Sequence, residues 1–194
     1  MKQAEPIKIL IMGLPGSGKT YFAKKLQEQL GDAEWFNADE VREKFDDWDF
    51  SDQGRLRQAT RMRKLCEASA SKYTIADFVC PTHLLRAEFR ADWIIWMDTI
   101  DEGRFEDTNK KFKEPDNYDF RLTYNMTDSN AERYAKKIAQ RIQDDDRGPT
   151  FDPRKETVQM LGRWQPWHDG HQALFERAIG KTGQVCIMIR DCQG

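Results

Sequence analysis

Residues Gly13-Leu14-Pro15-Gly16-Ser17-Gly18-Lys19-Thr20 spell GxxxxGK[ST], a spacing whose chemistry is the holding of a nucleoside triphosphate. Its glycines let successive backbone N–H groups curl round phosphate oxygens, and a helix starting behind them adds partial positive charge. Lys19 can reach the β- and γ-phosphates, and the Thr20 hydroxyl can ligate Mg²⁺. Asp39 is the candidate acid-base group. At the end of a strand it can accept a proton from an acceptor hydroxyl or hold Mg²⁺ through water; its alternative role is to cap the helix beside it. Arg42 lies one helical turn further on, and Arg55 and Arg61 follow. Planar guanidinium forks near one rim suit phosphate or sulfate, so this set points to an anionic acceptor. Phe50 can stack on a base or fill the core. Lys110-Lys111-Phe112 reads as part of a lid over the triphosphate or as a solvated basic loop.

These residues need elements to hold them. The apolar run Ile7–Met12 reads as a buried strand before the phosphate loop. Phe22, Leu26 and Leu30 recur every four residues behind it, as on one helix face. Further strands are expected at 34–38, 73–79, 92–98 and 118–123. Helices are expected at 40–45, 54–72, 82–90 and 129–143, the last opened by the capping box Ser129-Asn130-Ala131-Glu132. Residues 104–117 read as irregular. Strands alternating with helices imply a parallel α/β sheet covered on both faces, with its site beyond the carboxyl ends of the strands. That rule puts the phosphate loop, Asp39, Cys80 and Asp98 on one rim.

The Asp-, Gly- and Pro-rich stretch 146–156 reads as a linker, giving a first domain over 1–145 and about one βαβ unit over 157–194. So small a unit rarely buries enough apolar surface to fold alone. A net charge of −2 and pI near 6 give no field for gathering nucleic acid. With 33% charged residues, mean hydropathy of −0.83 and no long apolar run, no membrane span is expected. No signal peptide is evident before the first strand, and the four cysteines show no CxxC pair or metal-ligand spacing. A cytoplasmic protein with reduced thiols is the expectation.

The phosphate loop, with Asn37-Ala38-Asp39-Glu40-Val41-Arg42 and Asp49-Phe50-Ser51-Asp52-Gln53-Gly54-Arg55, resembles adenylylsulfate kinase, as does Ile75–Pro81. The resemblance covers about residues 5–145 and implies a P-loop three-layer sandwich. It implies transfer of the γ-phosphoryl of ATP to the 3′-hydroxyl of adenosine 5′-phosphosulfate (APS), with Mg²⁺, in a homodimer. Carried over, Asp39 is the catalytic carboxylate beside Lys19, and Arg42 and Arg55 grip the phosphosulfate. Phe50 meets the adenine, Gln58 stands where the family has Asn, and Cys80 and Phe112 count among the acceptor-side residues. The family's Asp-Gly-Asp begins here with Asn37, its Gly before Phe50 is Asp49, and its Ser before Pro81 is Cys80. A kinase for another hydroxyl acceptor, such as a nucleoside, small molecule or nucleic-acid 5′-end, shares the scaffold, as does an ATP-binding module without turnover.

Gly162-Arg163-Trp164-Gln165-Pro166-Trp167-His168-Asp169-Gly170-His171 is similar to the Gly-Arg-Phe-x-Pro-Phe-His-x-Gly-His element of the nicotinamide-nucleotide adenylyltransferases. This implies the start of a Rossmann-like nucleotidyltransferase domain, with a second nucleotide site at Gly162, Arg163, His168 and His171. The histidines would stabilise charge on the triphosphate. That family's later Ser/Thr-rich segment does not follow. A truncated bifunctional protein or a vestigial second site is therefore expected, with nucleotidyl transfer absent or feeble.

Overall fold

β1 (Ile7–Met12) alternates its side chains between two cores. Ile9 and Ile11 turn to one face of the sheet, Leu10 and Met12 to the other, and all four are buried. A strand apolar on both faces belongs at the centre of a parallel sheet, and β1 is there. In the computed structural model, residues 5–124, 127–144, 156–162, 169–182 and 185–189 are described. They fall into two compact units that divide between Asp145 and Asp146.

The first unit runs β1, α1 (Lys19–Leu30), β2 (Ala33–Asn37), α2 (Ala38–Lys44), α3 (Asp52–Ala68), β3 (Tyr73–Asp77) and α4 (His83–Phe89). It continues through β4 (Trp93–Met97), α5 (Glu106–Lys111), β5 (Phe120–Leu122) and α6 (Asp128–Asp144). Its five strands are all parallel in the order β2-β3-β1-β4-β5. Phe22, Ala23 and Leu26 of α1 and Ala131, Ala135 and Ile138 of α6 bury one face. Ala59, Met62 and Cys66 of α3 with Leu85 and Phe89 of α4 bury the other. The expected α/β sandwich with a parallel sheet is therefore the fold of this unit.

Three boundaries differ from the sequence reading in ways that matter for the site. β3 stops at Asp77, two residues early, because its ladder with β2 ends where Asn37 pairs with Asp77. α2 begins at Ala38, its cap supplied by Asn37, whose side chain accepts from the N–H groups of Asp39 and Glu40. Residues 104–117 hold the short helix α5, which has charged ends and no side-chain cap.

The second unit contains β6 (Val158–Gly162), α7 (Asp169–Thr182) and β7 (Val185–Ile189), with β6 and β7 paired in parallel. The expected linker, apart from Glu156, lies outside the described residues. Among the described residues no helix is long and apolar enough to cross a membrane.

Candidate active site

The phosphate loop leaves β1 through Gly13, at φ +148°, where a Cβ would run into the Met97 carbonyl oxygen of β4. Only glycine allows that approach. Thr99 Oγ1, just past β4, donates to Ser17 O at 2.8 Å, so loop and strand are tied twice. Gly18, left-handed at φ +88°, turns the chain into α1. Lys19 opens that helix and folds its ammonium back over the loop, donating to Leu14 O at 2.8 Å. Burial pushes the ammonium down to about 8, against the opposing pull of Asp77 and Asp39. Such a charge, held by one carbonyl and little water, is ready to exchange that carbonyl for phosphate oxygens.

Beside it, Thr20 Oγ1 donates to Asp77 Oδ2 at 2.7 Å. Trp35 Nε1 donates to Asp77 Oδ1 at 3.1 Å, and the Asn37 amide donates to both Asp77 oxygens at 3.1 Å. Asp77 is 2% exposed, and burial pushes its carboxyl up to about 6 despite these donors. The sequence reading missed Asp77 because it sits inside an apolar run read as continuing to Val79. The sequence held one hint, Asn37 standing where the resembling family's Asp-Gly-Asp begins with a carboxylate; its pairing opposite Asp77 exists only in the folded sheet. Thr20 and Asp77 form a corner of hard oxygen donors that fits Mg²⁺, with the Asn37 NH₂ group holding the carboxylate in place. Among the described residues no cluster of three or more His, Cys, Asp or Glu surrounds it. That also fits, since Mg²⁺ in such sites takes one or two protein ligands and completes its shell with phosphate and water.

Asp39 is free for chemistry because Asn37 does the capping. Among the described residues no hydrogen bond or ion pair engages its carboxylate. It lines one cleft of about 740 Å³ together with Lys19, Thr20, Asp77, Arg42 and Phe50. That volume is ordinary for a small-molecule site.

The acceptor-side residues converge on this cleft, with one exception. Arg42, Phe50, Arg55, Gln58 and Cys80 line it, and Phe112 instead packs against the core around Leu10 and Met12. Arg42 is 5% exposed and lies over the Phe50 ring, 4.5 Å from its centroid. It donates to the main-chain oxygens of Asp47 and Asp49 at 2.8 and 3.1 Å. Arg42 thus keeps its charge without a hydrogen-bonded carboxylate, and burial lowers its affinity for the proton. Gln58 donates to Ala38 O at 3.0 Å and accepts from Arg61, so it joins α3 to α2. Arg61 and Arg57 both hold Asp47, whose carboxyl these hydrogen bonds keep well below the usual range. Arg61 therefore builds the loop 45–51. Cys80, in a left-handed conformation at φ +45°, is fully buried, which raises its thiol pKa.

Lys110 pairs with Glu106 at 2.7 Å and Lys111 pairs with Asp52, and neither lines the cleft. The basic residue that this segment brings to the phosphate loop is Arg104, which sequence reading missed. Its Nε lies 3.9 Å from the position a Cβ on Gly16 would take. Gly103 beside it packs on Pro15 and is clasped by both amide atoms of Asn109 at 2.9 and 3.0 Å. In the second unit Gly162 ends β6 and His171 stands in the first turn of α7, half-buried. Arg163 and His168 lie outside the described residues.

The profile of the Zeta toxin family matches residues 1–71, which hold the phosphate loop, Asp39 and all of α3. No curated protein matches the chain. Among solved structures, the APS kinase of Mycobacterium tuberculosis, determined with AMPPNP and APS, superposes with a TM-score of 0.58 at 18% identity. The match covers 72% of this chain and 98% of that one. A sugar kinase from Janibacter sp. HTCC2649 gives 0.54 at 18% identity over 68% of this chain and 93% of its own. A gluconokinase from Sinorhizobium meliloti 1021 gives 0.53 at 14% identity, over 71% and 93%. Identities this low speak for architecture alone, and the architecture is the kinase-type P-loop α/β fold.

Proposed function

We propose that the first unit is an ATP-dependent phosphotransferase that moves the γ-phosphoryl group to a hydroxyl of an anionic nucleotide, with the 3′-hydroxyl of APS as the acceptor. The observation that carries this reading is the uncommitted carboxylate of Asp39, sharing one cleft with Lys19 and with the Arg42–Phe50 stack. A carboxylate without hydrogen-bonded duties, across from a buried ammonium, suits proton abstraction from an incoming hydroxyl. An aromatic ring backed by a guanidinium suits a base with a negative group attached. In the reaction Asp39 takes the acceptor's hydroxyl proton as the new P–O bond forms. The bond from the γ-phosphorus to the bridging oxygen breaks, and ADP leaves. Lys19 follows the charge that gathers on the phosphate oxygens, and Arg104, beside Gly16 of the loop, adds a second positive charge. Thr20 and Asp77 would hold Mg²⁺, which when bound neutralises charge on the phosphates. The second unit keeps Gly162, Arg163, His168 and His171 as a proposed second nucleotide site.

Coupled ADP release with ATP and APS tests the reading. Folded protein that shows no acceleration by APS over an ATP-only blank rules that acceptor out. Asp39→Asn is expected to lower turnover about a hundredfold while the affinity for ATP stays within about twofold, as for loss of a general base. A second reading, a hydroxyl acceptor other than APS, draws on one observation. Both acceptor-side guanidinium groups are already engaged, Arg42 through one nitrogen to main-chain carbonyls and Arg55 through two nitrogens to Phe50 O, Asp107 and Thr108, so neither is laid out for one particular anion. An acceptor panel of nucleosides, sugars and nucleotides in the same assay separates the two.

A further inference from the structure

Arg55 reaches the acceptor side of the cleft from α3 with a side chain only 9% exposed. Its Nε–H goes to Phe50 O at 2.9 Å. A terminal nitrogen donates to Asp107 Oδ2 at 3.2 Å and to Thr108 Oγ1 at 3.3 Å. Asp107, in the first turn of α5, is 65% exposed and has no other hydrogen bond or ion pair among the described residues. Among the described residues, the one carboxylate hydrogen-bonded to this largely buried cation is thus a solvated acid on a six-residue helix. Pairs of that kind are weakly held. An anion delivered inside the cleft meets the same guanidinium where water screens less.

We propose that Asp107 occupies the anion position of Arg55 in the free protein, and that the acceptor's anionic group binds by displacing it. The inference rests on the phosphotransferase reading in that Arg55 faces the acceptor. It adds a residue that sets acceptor affinity from outside the acceptor's own contacts. It also joins the two halves of the cleft. Asp107 and Lys111 tie α5 to Arg55 and Asp52 at the start of α3, and Arg104 precedes α5 in the same segment.

The test uses the full chain with saturating MgADP to fill the phosphate loop. Inorganic sulfate is titrated against sodium chloride of equal ionic strength, with thermal unfolding as readout. If Asp107 holds Arg55 in roughly 70–90% of molecules, Asp107→Asn lowers the half-saturating sulfate about three- to tenfold. Arg55→Ala abolishes the sulfate-specific rise with or without the second change. Equal midpoints in the parent and Asp107→Asn proteins overturn the proposal, and so does a shift that persists without Arg55. In the coupled assay the same substitution lowers the KM for APS and leaves the KM for ATP unmoved, whereas a merely structural role moves both. An unmoved KM for APS, with turnover present, also overturns it. A shifted sulfate midpoint in a protein that never turns over APS sinks APS as acceptor and supports the displacement.

Discussion

Lys19→Met lowers phosphoryl transfer by about a hundred- to a thousandfold, the loss expected when one preorganised donor to a developing oxyanion is removed. Methionine keeps much of the length and apolar stem, so the loop around Leu14 keeps its packing while the charge is gone. A calorimetric signature should accompany this. The Lys19 ammonium is held near 8 by burial, and polyphosphate raises it again on binding. ATP binding at pH 8.5 should therefore take up about half a proton or more, read as a dependence of the binding heat on the ionisation heat of the buffer. Lys19→Met removes that uptake. Binding heat that is the same in every buffer, for the parent protein, contradicts this account of Lys19.

Asp77→Asn is expected to stabilise the first unit and impair it together. A carboxyl moved from an ordinary 3.8 to about 6 makes the ionised fold less stable by about 3 kcal/mol before relaxation. The native state holds the Asp77 proton more tightly than the unfolded chain. Stability from this group is thus fully present below pH 4 and is lost as pH rises to 6. The amide avoids that loss. Its oxygen can take the Trp35 and Asn37 bonds, and its NH₂ can donate to the Thr20 hydroxyl. The gap in stability between Asp77→Asn and the parent should be near zero at pH 4. By pH 7 it should open to about 1–3 kcal/mol, or about 3–9 °C in Tm. Turnover should fall about 10- to 100-fold, because Thr20 loses the carboxylate that orients its hydroxyl. A gap that does not change between pH 4 and pH 7 would show that burial does not perturb this carboxyl.

The phosphate loop, β1 and α1 were legible because their information is local. The glycines, the lysine and the four-residue apolar step lie within one stretch of 24 residues, from Ile7 to Leu30. Asp39 and its neighbours could be placed for the same reason, being one strand further along. Asp77 was hidden because its role comes from register: the pairing of Asn37 with Asp77 across β2 and β3 ends the strand there. The duties of Arg57 and Arg61 were equally out of reach. They exist only when the loop 45–51 folds back so that Asp47 meets both. Arg61, read as anion-binding, is satisfied by that acid and by Gln58. α5 escaped because six residues with no apolar period and no side-chain cap carry no helical signal beyond Glu106 and Lys110, four apart.

The double tie between the phosphate loop and β4, at Gly13–Met97 and Thr99–Ser17, has an evolutionary corollary. The fuel-handling half of the cleft is set in the sheet, and substitutions there are felt at once in the core. The opposite wall is a loop and two helices fastened by guanidinium groups to carbonyls and to Asp47, on the periphery. Mutational drift can rewrite that wall without disturbing the phosphate loop. One architecture can then be re-addressed to unlike acceptors while its energy source stays the same.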